Sequence, residues 1–393
     1  MNLFDVYPLV DITPVRALGA SLWDDKGQEY LDFYGGHAVI SIGHGHPRYV
    51  QRLKEQLDTI GFYSNSVNIP IQQELAHKLG QVAGYEDYAL FLCNSGAEAN
   101  ENALKLASFH TGKKRVVAFK GAFHGRTSGA VAATDNPKIV APFNADHAIS
   151  FVDYDLKAVA GVLRGGDVCA VIIEPIQGVG GIIRPSDDFL QGLSLLCGAH
   201  NVVLIADEVQ SGYGRSGKFF AHQHAGIRPD IIAVAKGMGN GFPIGGILIS
   251  PALKASYGLL GTTFGGNHLA CAAALAVLEV IEGEQLLAHA TAMGDYLRTE
   301  LLAHAGALEI RGRGLMVGIK YDFPIKEIRD KLLAEFHIFV GNASDPTVLR
   351  LLPPLNITKA EVDRFLQALY ALVPVASPPS PLSGGEGELV LKK

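Results

Sequence analysis

The sequence predicts an α/β protein in which a large, mostly parallel sheet is flanked by helices and followed by a smaller α+β domain. Between about residues 75 and 250, short continuous apolar segments alternate with longer amphipathic segments. Such alternation is typical of parallel strands that helices cover on both faces. After the long apolar helix predicted from His268 onward, the order of strands and helices changes. These two observations predict one large domain and one small domain.

The individual elements follow from the same patterns. Six segments of the first region are predicted strands, most of them rich in Val and Ile: Tyr88–Leu92, Arg115–Phe119, Val168–Ile173, Val202–Ala206, Ile231–Ala235 and Gly246–Ile249. Two amphipathic segments between them are predicted helices, Ala97–Phe109 and Asp188–His200. Toward the C-terminus we predict a strand over Leu308–Lys320, a helix over Ile325–Glu335, strands over Ile338–Gly341 and Val348–Leu352, and a helix over Lys359–Leu372.

These elements predict four parts of the chain. Residues 50–282 form the large domain, residues 283–374 form the small α+β domain, and residues 1–49 join the small domain. Residues 375–393 are rich in Pro, Ser, Gly and Glu and have no apolar periodicity, which predicts a disordered tail.

Composition excludes several classes of function. The 33 Lys and Arg against 39 Asp and Glu give a net charge of −6, which argues against a nucleic-acid partner. The longest apolar segment, Leu269–Ile281, is too short to span a bilayer, and the N-terminus lacks the pattern of a signal peptide. The four cysteines are far apart, without a C-x-x-C pair. We therefore expect a cytoplasmic globular protein without a membrane partner.

Two predicted strands end in residues that can carry chemistry. The strand Val202–Ala206 runs directly into Asp207, and the strand Ile231–Ala235 runs directly into Lys236. In a parallel sheet the carboxyl ends of strands meet at one edge, where ligands bind. A poorly solvated lysine has a lowered pKa and can form a Schiff base with a carbonyl group, and a nearby carboxylate suits a pyridinium nitrogen. Strands also commonly end in charged residues without function, so the evidence is the pair rather than either residue.

A second candidate site is the segment Asn94–Glu101, which follows a predicted strand and opens a helix. The backbone N–H groups of a first helical turn can bind phosphate, and Gly96 allows close approach of the anion. The alternative is an ordinary capping box formed by Ser95 and Glu98. Both interpretations can hold for the same turn.

Other short motifs do not support a site. Gly212–Lys218 matches G-x-x-x-x-G-K, but Phe219 stands where a P-loop needs Ser or Thr. Gly237–Gly241 lacks the third glycine of a dinucleotide fingerprint. The short histidine pairs have no carboxylate cluster beside them, so no metal site is predicted.

The chain resembles the class III pyridoxal-phosphate (PLP) aminotransferases, particularly their acetylornithine branch. The resemblance covers roughly Tyr7 to Leu372 and implies fold type I of the PLP enzymes. Six motifs carry it in the order and spacing of that family: Asn94–Glu101, Phe123–Thr127, Glu174–Gly178, Asp207–Gln210, Ala235–Gly237 and Thr262–Asn267.

The resemblance implies how PLP is held. Lys236 binds the cofactor covalently and then serves as the base, and Asp207 pairs with the protonated pyridine nitrogen. The backbone N–H groups of Gly96 and Ala97 bind the phosphate. Phe123 stacks on one face of the ring, and Val209 packs on the other. Gln210 contacts the phenolic oxygen, and Thr263 reaches the phosphate from the neighbouring subunit. A complete site then requires a homodimer.

The resemblance also implies the substrates. One is an N-acylornithine, acetylated or succinylated, that reacts at its side-chain amine in arginine biosynthesis. The other is 2-oxoglutarate, which becomes glutamate. Arg350 is the proximal and Arg126 the distal carboxylate-binding residue, while Thr262 and Glu174 lie near the reacting groups. Without the resemblance, Arg350 reads as an arginine that extends along an apolar strand.

One position departs from the family. Relatives usually carry Glu five residues after the Glu174 position, where it screens the carboxylate-binding arginine, and this chain has Val179 there. We therefore hypothesise an altered preference among amino donors.

Other functions stay open at this point. Ornithine, an acylated lysine precursor or 4-aminobutyrate are alternative donors. A related aminomutase, which needs no 2-oxo acid, is a second class. A non-catalytic cofactor-binding protein is a third, against which the presence of Lys236 and Asp207 argues.

Overall fold

The structure is a computed structural model that describes residues 1–304 and 306–373. The predicted tail, 375–393, lies outside the described residues. The strands are β1 (Pro14–Leu18), β2 (Ser21–Asp24), β3 (Glu29–Asp32), β4 (Ala89–Cys93), β5 (Arg115–Phe119), β6 (Ile149–Val152), β7 (Val168–Ile173), β8 (Val203–Asp207), β9 (Ile231–Val234), β10 (Gly245–Ile249), β11 (Glu309–Arg313), β12 (Met316–Lys320), β13 (Ile338–Phe339), β14 (Gly341–Asn342) and β15 (Val348–Leu351). The helices are α1 (Gly35–Ala38), α2 (Pro47–Leu57), α3 (Pro70–Ala83), α4 (Gly96–Thr111), α5 (Ser128–Ala132), α6 (Leu156–Leu163), α7 (Asp187–Ala199), α8 (His268–Gly283), α9 (Leu286–His304), α10 (Lys326–Ala334) and α11 (Lys359–Leu372).

The central sheet has seven strands in the order β4-β10-β9-β8-β7-β5-β6. All neighbouring pairs from β9 to β6 are parallel, and only β10 runs against its neighbours. The prediction of a large, mostly parallel sheet is therefore confirmed. Its consequence for function is that β4, β7, β8 and β9 all end at the same edge.

The sheet is buried on both faces because its strands are continuously apolar. Every residue of β7 is buried, and its side chains alternate between two separate clusters of the core. Ala170 and Ile172 face the cluster that includes Ala99 and Ala103 of α4. Val171 faces the cluster that includes residues of α7. Helices on both faces thus hold the strand ends in a fixed arrangement.

The C-terminal region forms a second sheet in the order β11-β12-β15-β14. The single predicted strand over Leu308–Lys320 is wrong, because the chain turns at Gly314, with φ +53°, and makes the antiparallel hairpin of β11 and β12. The predicted strand Ile338–Gly341 is likewise split. Its first part, β13, pairs with β3 near the N-terminus, and the next residues, β14, pair with β15.

The N-terminal strands form a sheet with the order β1-β2-β3-β13. Of these N-terminal strands, β3 is the one that is hydrogen-bonded to the C-terminal strand β13. The four-part division of the chain into domains stays a prediction. Among the helices in the described part of the chain, none is long and apolar enough to cross a membrane.

Candidate active site

A cavity of about 390 Å³ lies where the central strands end. Its walls come from the segments that follow β4, β5, β7, β8 and β9, as the strand order requires. The cavity brings together most of the residues that the sequence predicts for the site: Gly96, Ala97, Phe123, Arg126, Glu174, Asp207, Val209, Gln210 and Lys236. Thr262, Thr263 and Arg350 are not part of its lining.

The start of α4 forms one end of the cavity. Ser95 caps the helix, since its Oγ accepts a hydrogen bond from the Glu98 N–H at 3.2 Å. Only the N-cap half of a capping box is present, because the Glu98 carboxylate accepts the Asn94 N–H at 3.1 Å rather than the Ser95 N–H. The amides of Gly96 and Ala97 belong to the first turn, which has no intrahelical acceptors. A Cβ on Gly96 would lie only 2.6 Å from Val209 Cγ1. Glycine therefore lets the helix start pack directly on the residue predicted to face the ring.

Asp207, the last residue of β8, is buried and held by three donors. Asn100 Nδ2 donates to its Oδ2 at 2.7 Å, and the Val209 N–H donates to its Oδ1 at 3.0 Å. His124 Nδ1 lies 2.7 Å from the same Oδ2 and donates to it, because a carboxylate only accepts. Among the described residues, the buried His124 Nε2 and Asn100 Oδ1 have no partner. The network fixes the carboxylate against the cavity wall.

Lys236 follows β9 and faces the same cavity. Its φ of +46° is unusual for a residue with a side chain, and such conformations concentrate at functional sites. Desolvation lowers the pKa of its ammonium group, while the charges of Asp207 and Glu174 oppose that effect. A lysine with a lowered pKa is more often the free amine, which is the form that reacts with carbonyl groups.

Glu174 follows β7 and is also buried at this edge. It accepts the Phe123 N–H at 2.9 Å and the Gly178 N–H at 3.0 Å. Burial raises the pKa of its carboxyl group to about 7, with a further increase from the negative charge of Asp207 that His124 opposes. A carboxyl group in this range can hold or release a proton near neutral pH.

Gln210 is placed by a close contact with the loop that follows Glu174. Its Nε2 donates to the His37 carbonyl at 3.2 Å, and its Oε1 has no partner within the residues the structure describes. A Cβ on Gly178 would lie 1.8 Å from that oxygen. Val179, one residue further, lines the cavity.

The two predicted carboxylate-binding arginines have different surroundings. Arg126 is exposed and lines the cavity. Arg350 is 3% exposed on β15, and its Nε donates to the Asn342 carbonyl. Desolvation lowers the pKa of Arg350, and its buried Nη1 finds no acceptor in the described residues. A buried guanidinium with a free N–H is suited to an anionic ligand.

Thr262 and Thr263 lie on a loop beside the end of β4. Thr262 Oγ1 accepts the Gly265 N–H at 3.1 Å and Asn94 Nδ2 at 3.4 Å. Thr263 is exposed. Within one chain, therefore, neither threonine reaches the cavity.

Sequence reasoning missed two residues of the site, His124 and Asn100, which hold Asp207. Both lie inside segments that were singled out for their neighbours, Phe123–Thr127 and Asn94–Glu101. Their types offered a signal, since a histidine and an amide next to a buried carboxylate satisfy its oxygens.

Known proteins share this architecture over nearly the full length. The model of the family described as "Aminotransferase class-III" matches residues 5–373. The chain belongs to the class-III aminotransferases. Acetylornithine aminotransferase of Bacillus subtilis is 40% identical over 375 residues, 94% of this chain and 96% of that protein. Acetylornithine aminotransferase of Aquifex aeolicus is 39% identical over 382 residues, 94% of this chain and 99% of that protein.

A solved structure gives the same result for the fold. The ornithine aminotransferase of Toxoplasma gondii superposes with a TM-score of 0.86 at 30% identity, covering 93% of this chain and 92% of that chain. The fold is that of the fold type I PLP enzymes, and the protein is a PLP-dependent aminotransferase.

The cavity of this aminotransferase fits PLP on three independent features. The first turn of α4 offers backbone N–H groups to a phosphate. A carboxylate held by His124 and Asn100 also lines the cavity and suits a protonated ring nitrogen. The lining further includes Lys236, whose pKa is lowered, and Gln210, whose Oε1 has no partner in the described structure.

Proposed function

We propose that this aminotransferase moves the side-chain amine of an N-acylornithine, acetylated or succinylated, to 2-oxoglutarate, in arginine biosynthesis. The full-length similarity to acetylornithine aminotransferases, at about 40% identity in several organisms, carries the proposal. Ornithine is the second candidate donor, because solved ornithine aminotransferases share the fold at 30% identity. The free thiols of four buried cysteines are the state expected in the cytoplasm, where we place the enzyme.

In this proposal the chain divides the work among few residues. Bound PLP supplies an electron sink for the electron pair released at the amine-bearing carbon. Lys236 would bind the cofactor aldehyde, and its Nζ would take the proton from the amine-bearing carbon and pass it to the cofactor rather than back to that carbon. Asp207 holds positive charge at the ring nitrogen, and Gly96 and Ala97 hold the phosphate.

The remaining predicted residues position the ring and the substrates. Phe123 and Val209 enclose the ring, and Gln210 lies at its phenolic oxygen. Glu174, with a pKa near 7, holds or releases a proton beside the reacting groups. Arg350 and Arg126 bind the proximal and distal carboxylates. Thr262, which does not line the cavity within one chain, lies close to the substrate in the proposed dimer.

The proposal is tested first at Lys236. Lys236→Ala should abolish glutamate formation and also the covalent attachment of PLP after borohydride reduction, read by intact mass. Lys218→Ala is the matched control, because Lys218 is an exposed lysine bonded to the Gln223 carbonyl. Retained covalent attachment in Lys236→Ala would refute the assignment of the lysine.

The donor is tested by a panel assayed against 2-oxoglutarate. Acetylornithine and succinylornithine should give the highest kcat/KM, above ornithine and 4-aminobutyrate. Preference for ornithine would select the second candidate. Turnover of a donor without any 2-oxo acid would indicate an aminomutase.

We propose a homodimer with shared active sites, in which Thr263 reaches the phosphate bound by the other subunit. An exposed loop position next to β4 supports this, as do Phe264 and Phe62, which contact each other while 59% and 43% exposed. Lys236→Ala and Thr263→Ala dimers are mixed, dissociated and reassociated. Activity should rise, because in the heterodimer one site combines the intact Lys236 of one subunit with the intact Thr263 of the other. No gain in verified heterodimers would contradict shared sites.

Val179 is proposed to influence donor choice. It lines the cavity where relatives carry Glu, and Arg350 has no ion pair with any carboxylate in the described residues. Val179→Glu should change the ratio of kcat/KM for acetylornithine to that for glutamate. An unchanged ratio would contradict the hypothesis.

A further inference from the structure

A second concave site lies on the other side of the loop that carries Val179. The cavity has a volume of about 360 Å³ and is lined by Ile182–Arg184, Arg298 and Glu309–Arg313. We call it the arginine cleft, after Arg184, Arg298, Arg311 and Arg313. None of these arginines belongs to the cofactor cavity.

The arginine cleft carries more positive than negative charge. Asp187 pairs with both Arg184, at 3.1 Å, and Arg313, at 2.6 Å. Glu309 pairs with Arg311 at 2.7 Å. Arg298 donates only to the Gly312 carbonyl, at 2.8 Å, and has no carboxylate within ion-pair distance in residues 1–304 and 306–373. Four guanidinium groups therefore face two carboxylates, and two positive charges are unbalanced.

These arginines are not simply spread over solvent. The side chains of Arg311 and Arg313 are 16% and 24% exposed, and Arg298 is half-buried. Desolvation and the neighbouring charges of Arg313 and Arg298 lower the pKa of Arg184, and the charge of Asp187 only partly opposes them. Like charges held together in this way repel each other, and an anion between them would relieve the repulsion.

The chemistry of guanidinium selects the kind of anion. Its planar fork binds carboxylate and phosphate oxygens with two parallel hydrogen bonds. Two unbalanced charges match a ligand that carries two negative charges, and about 360 Å³ limits it to a small molecule. Phosphates and dicarboxylates share this chemistry.

The position of the cleft links it to the active-site loop. Arg311 Nη1 donates to the Gly181 carbonyl at 3.3 Å, and Val179 accepts the Ser344 N–H through its carbonyl at 2.8 Å. Ile182 follows Gly181 in the chain and lines the cleft. It is fully buried, and its φ of +56° is strained for a β-branched residue. A Cβ on Gly318 would lie 2.9 Å from its Cβ, so close packing holds it there.

From these observations we propose that the arginine cleft is a binding site for a small oxyanion with two negative charges, separate from the cofactor cavity. The site uses Arg298, which has no carboxylate partner in the described residues, and the second charge of the Arg184–Arg313 pair, which one Asp187 cannot balance. Glu309 keeps Arg311 in place. The inference does not depend on which amine the enzyme accepts.

The test is calorimetric titration of the PLP-saturated enzyme with inorganic phosphate and, separately, with succinate. Phosphate should bind once per chain. Succinate should bind once per chain in addition to any succinate that Arg126 and Arg350 hold in the cofactor cavity, which titration of Arg126→Gln measures separately. Arg298→Gln and Arg184→Gln should each weaken binding at least tenfold while kcat stays within twofold. Phosphate binding alone identifies a phosphorylated ligand, and succinate binding alone identifies a dicarboxylate, either of which supports the site.

Two controls separate the cleft from other cationic sites. Arg48→Gln removes the same charge from an arginine whose side chain is 58% exposed and pairs with Glu279, and it should leave the affinity unchanged. Arg126→Gln tests the cofactor cavity in the same way. The proposal is overturned if neither ion binds, if Arg298→Gln binds like the wild type, or if only Arg126→Gln abolishes binding.

Discussion

Two adjacent acids, Asp207 at the end of β8 and Glu208 directly after it, are both buried against a histidine, yet their surroundings differ. Glu208 Oε1 accepts both the N–H and the Nδ1 of His222 at 2.8 Å, and Ser211 Oγ donates to its other oxygen at 2.6 Å. The second ring nitrogen of His222 lies 2.6 Å from the Tyr85 hydroxyl. Every polar atom of this closed network is thus paired.

The Asp207 network is open by comparison. His124 Nε2 and Asn100 Oδ1 are buried but unpartnered within the described chain, and Asp207, His124 and Asn100 all line the cavity. An unsatisfied buried group costs about 1–3 kcal/mol, and such groups call for an explanation. Residue type alone therefore does not separate a structural acid from a functional one. What separates these two acids is whether every buried polar atom bonded to them has a hydrogen-bond partner.

The largest expected effect comes from neutralising the open network. Asp207→Asn keeps the shape but removes the charge that we propose stabilises a protonated ring nitrogen. We expect kcat to fall on the order of 10²- to 10³-fold, as when one electrostatic contact to a reacting group is lost. Steady-state kinetics at saturating PLP measure it. Glu208→Gln is the matched neutral variant and should stay within threefold, so equal losses in both would refute the distinction.

Breaking the closed network should instead lower stability. Glu208→Ala leaves the two His222 donors buried without an acceptor, at about 1–3 kcal/mol for each unpaired group. Glu208→Gln retains one acceptor oxygen and should recover part of that loss. Urea unfolding of the holoenzyme measures both variants. A Glu208→Ala enzyme as stable as the wild type would show that this network is dispensable.

The same comparison shows what the sequence could predict. Asp207 and Lys236 were expected at one edge because parallel strands end together, and both line one cavity. The prediction needed only local patterns of apolar residues and the strand order. It could not show that His124 binds Asp207, because that contact joins residues 83 positions apart.

Long-range pairing also explains the errors in the C-terminal region. The pattern predicts a strand over Val348–Leu352, and β15 spans Val348–Leu351. Its register, with Arg350 opposite Gly318 on one side and Gly341 on the other, is not contained in local patterns. The turn at Gly314 was missed because glycine occurs inside strands as well as in turns. Both the register of β15 and the hairpin of β11 and β12 depend on pairing between segments that local patterns do not connect.

A third buried acid, Glu174, is expected to make the stability of the protein depend on pH. Burial raises its pKa from 4.5 to about 7 in the folded protein. Its protonated form therefore contributes stability below pH 4.5, which is lost as the pH rises through about 7. Between these values, wild-type stability should fall relative to Glu174→Gln, by at most about 1.4 kcal/mol per pH unit. The measurement is the melting temperature of the two holoenzymes at pH values from 4.5 to 8. A difference between them that stays constant over this range would contradict the prediction.

The smallest expected effect is at the far end of the closed network. Tyr85→Phe removes the hydroxyl next to His222 Nε2 and leaves that nitrogen as unpartnered as His124 Nε2 is in the open network. Loss of one neutral hydrogen bond should cost about 1 kcal/mol of stability. Tyr88→Phe, which loses a bond to the Pro229 carbonyl, is the matched control for removal of a hydroxyl. Because the Glu208 network has no group in the cavity lining, kcat should not change in either variant. A fall in kcat for Tyr85→Phe alone would mean that the closed network also positions the active site, and the two acids would then differ in degree rather than in kind.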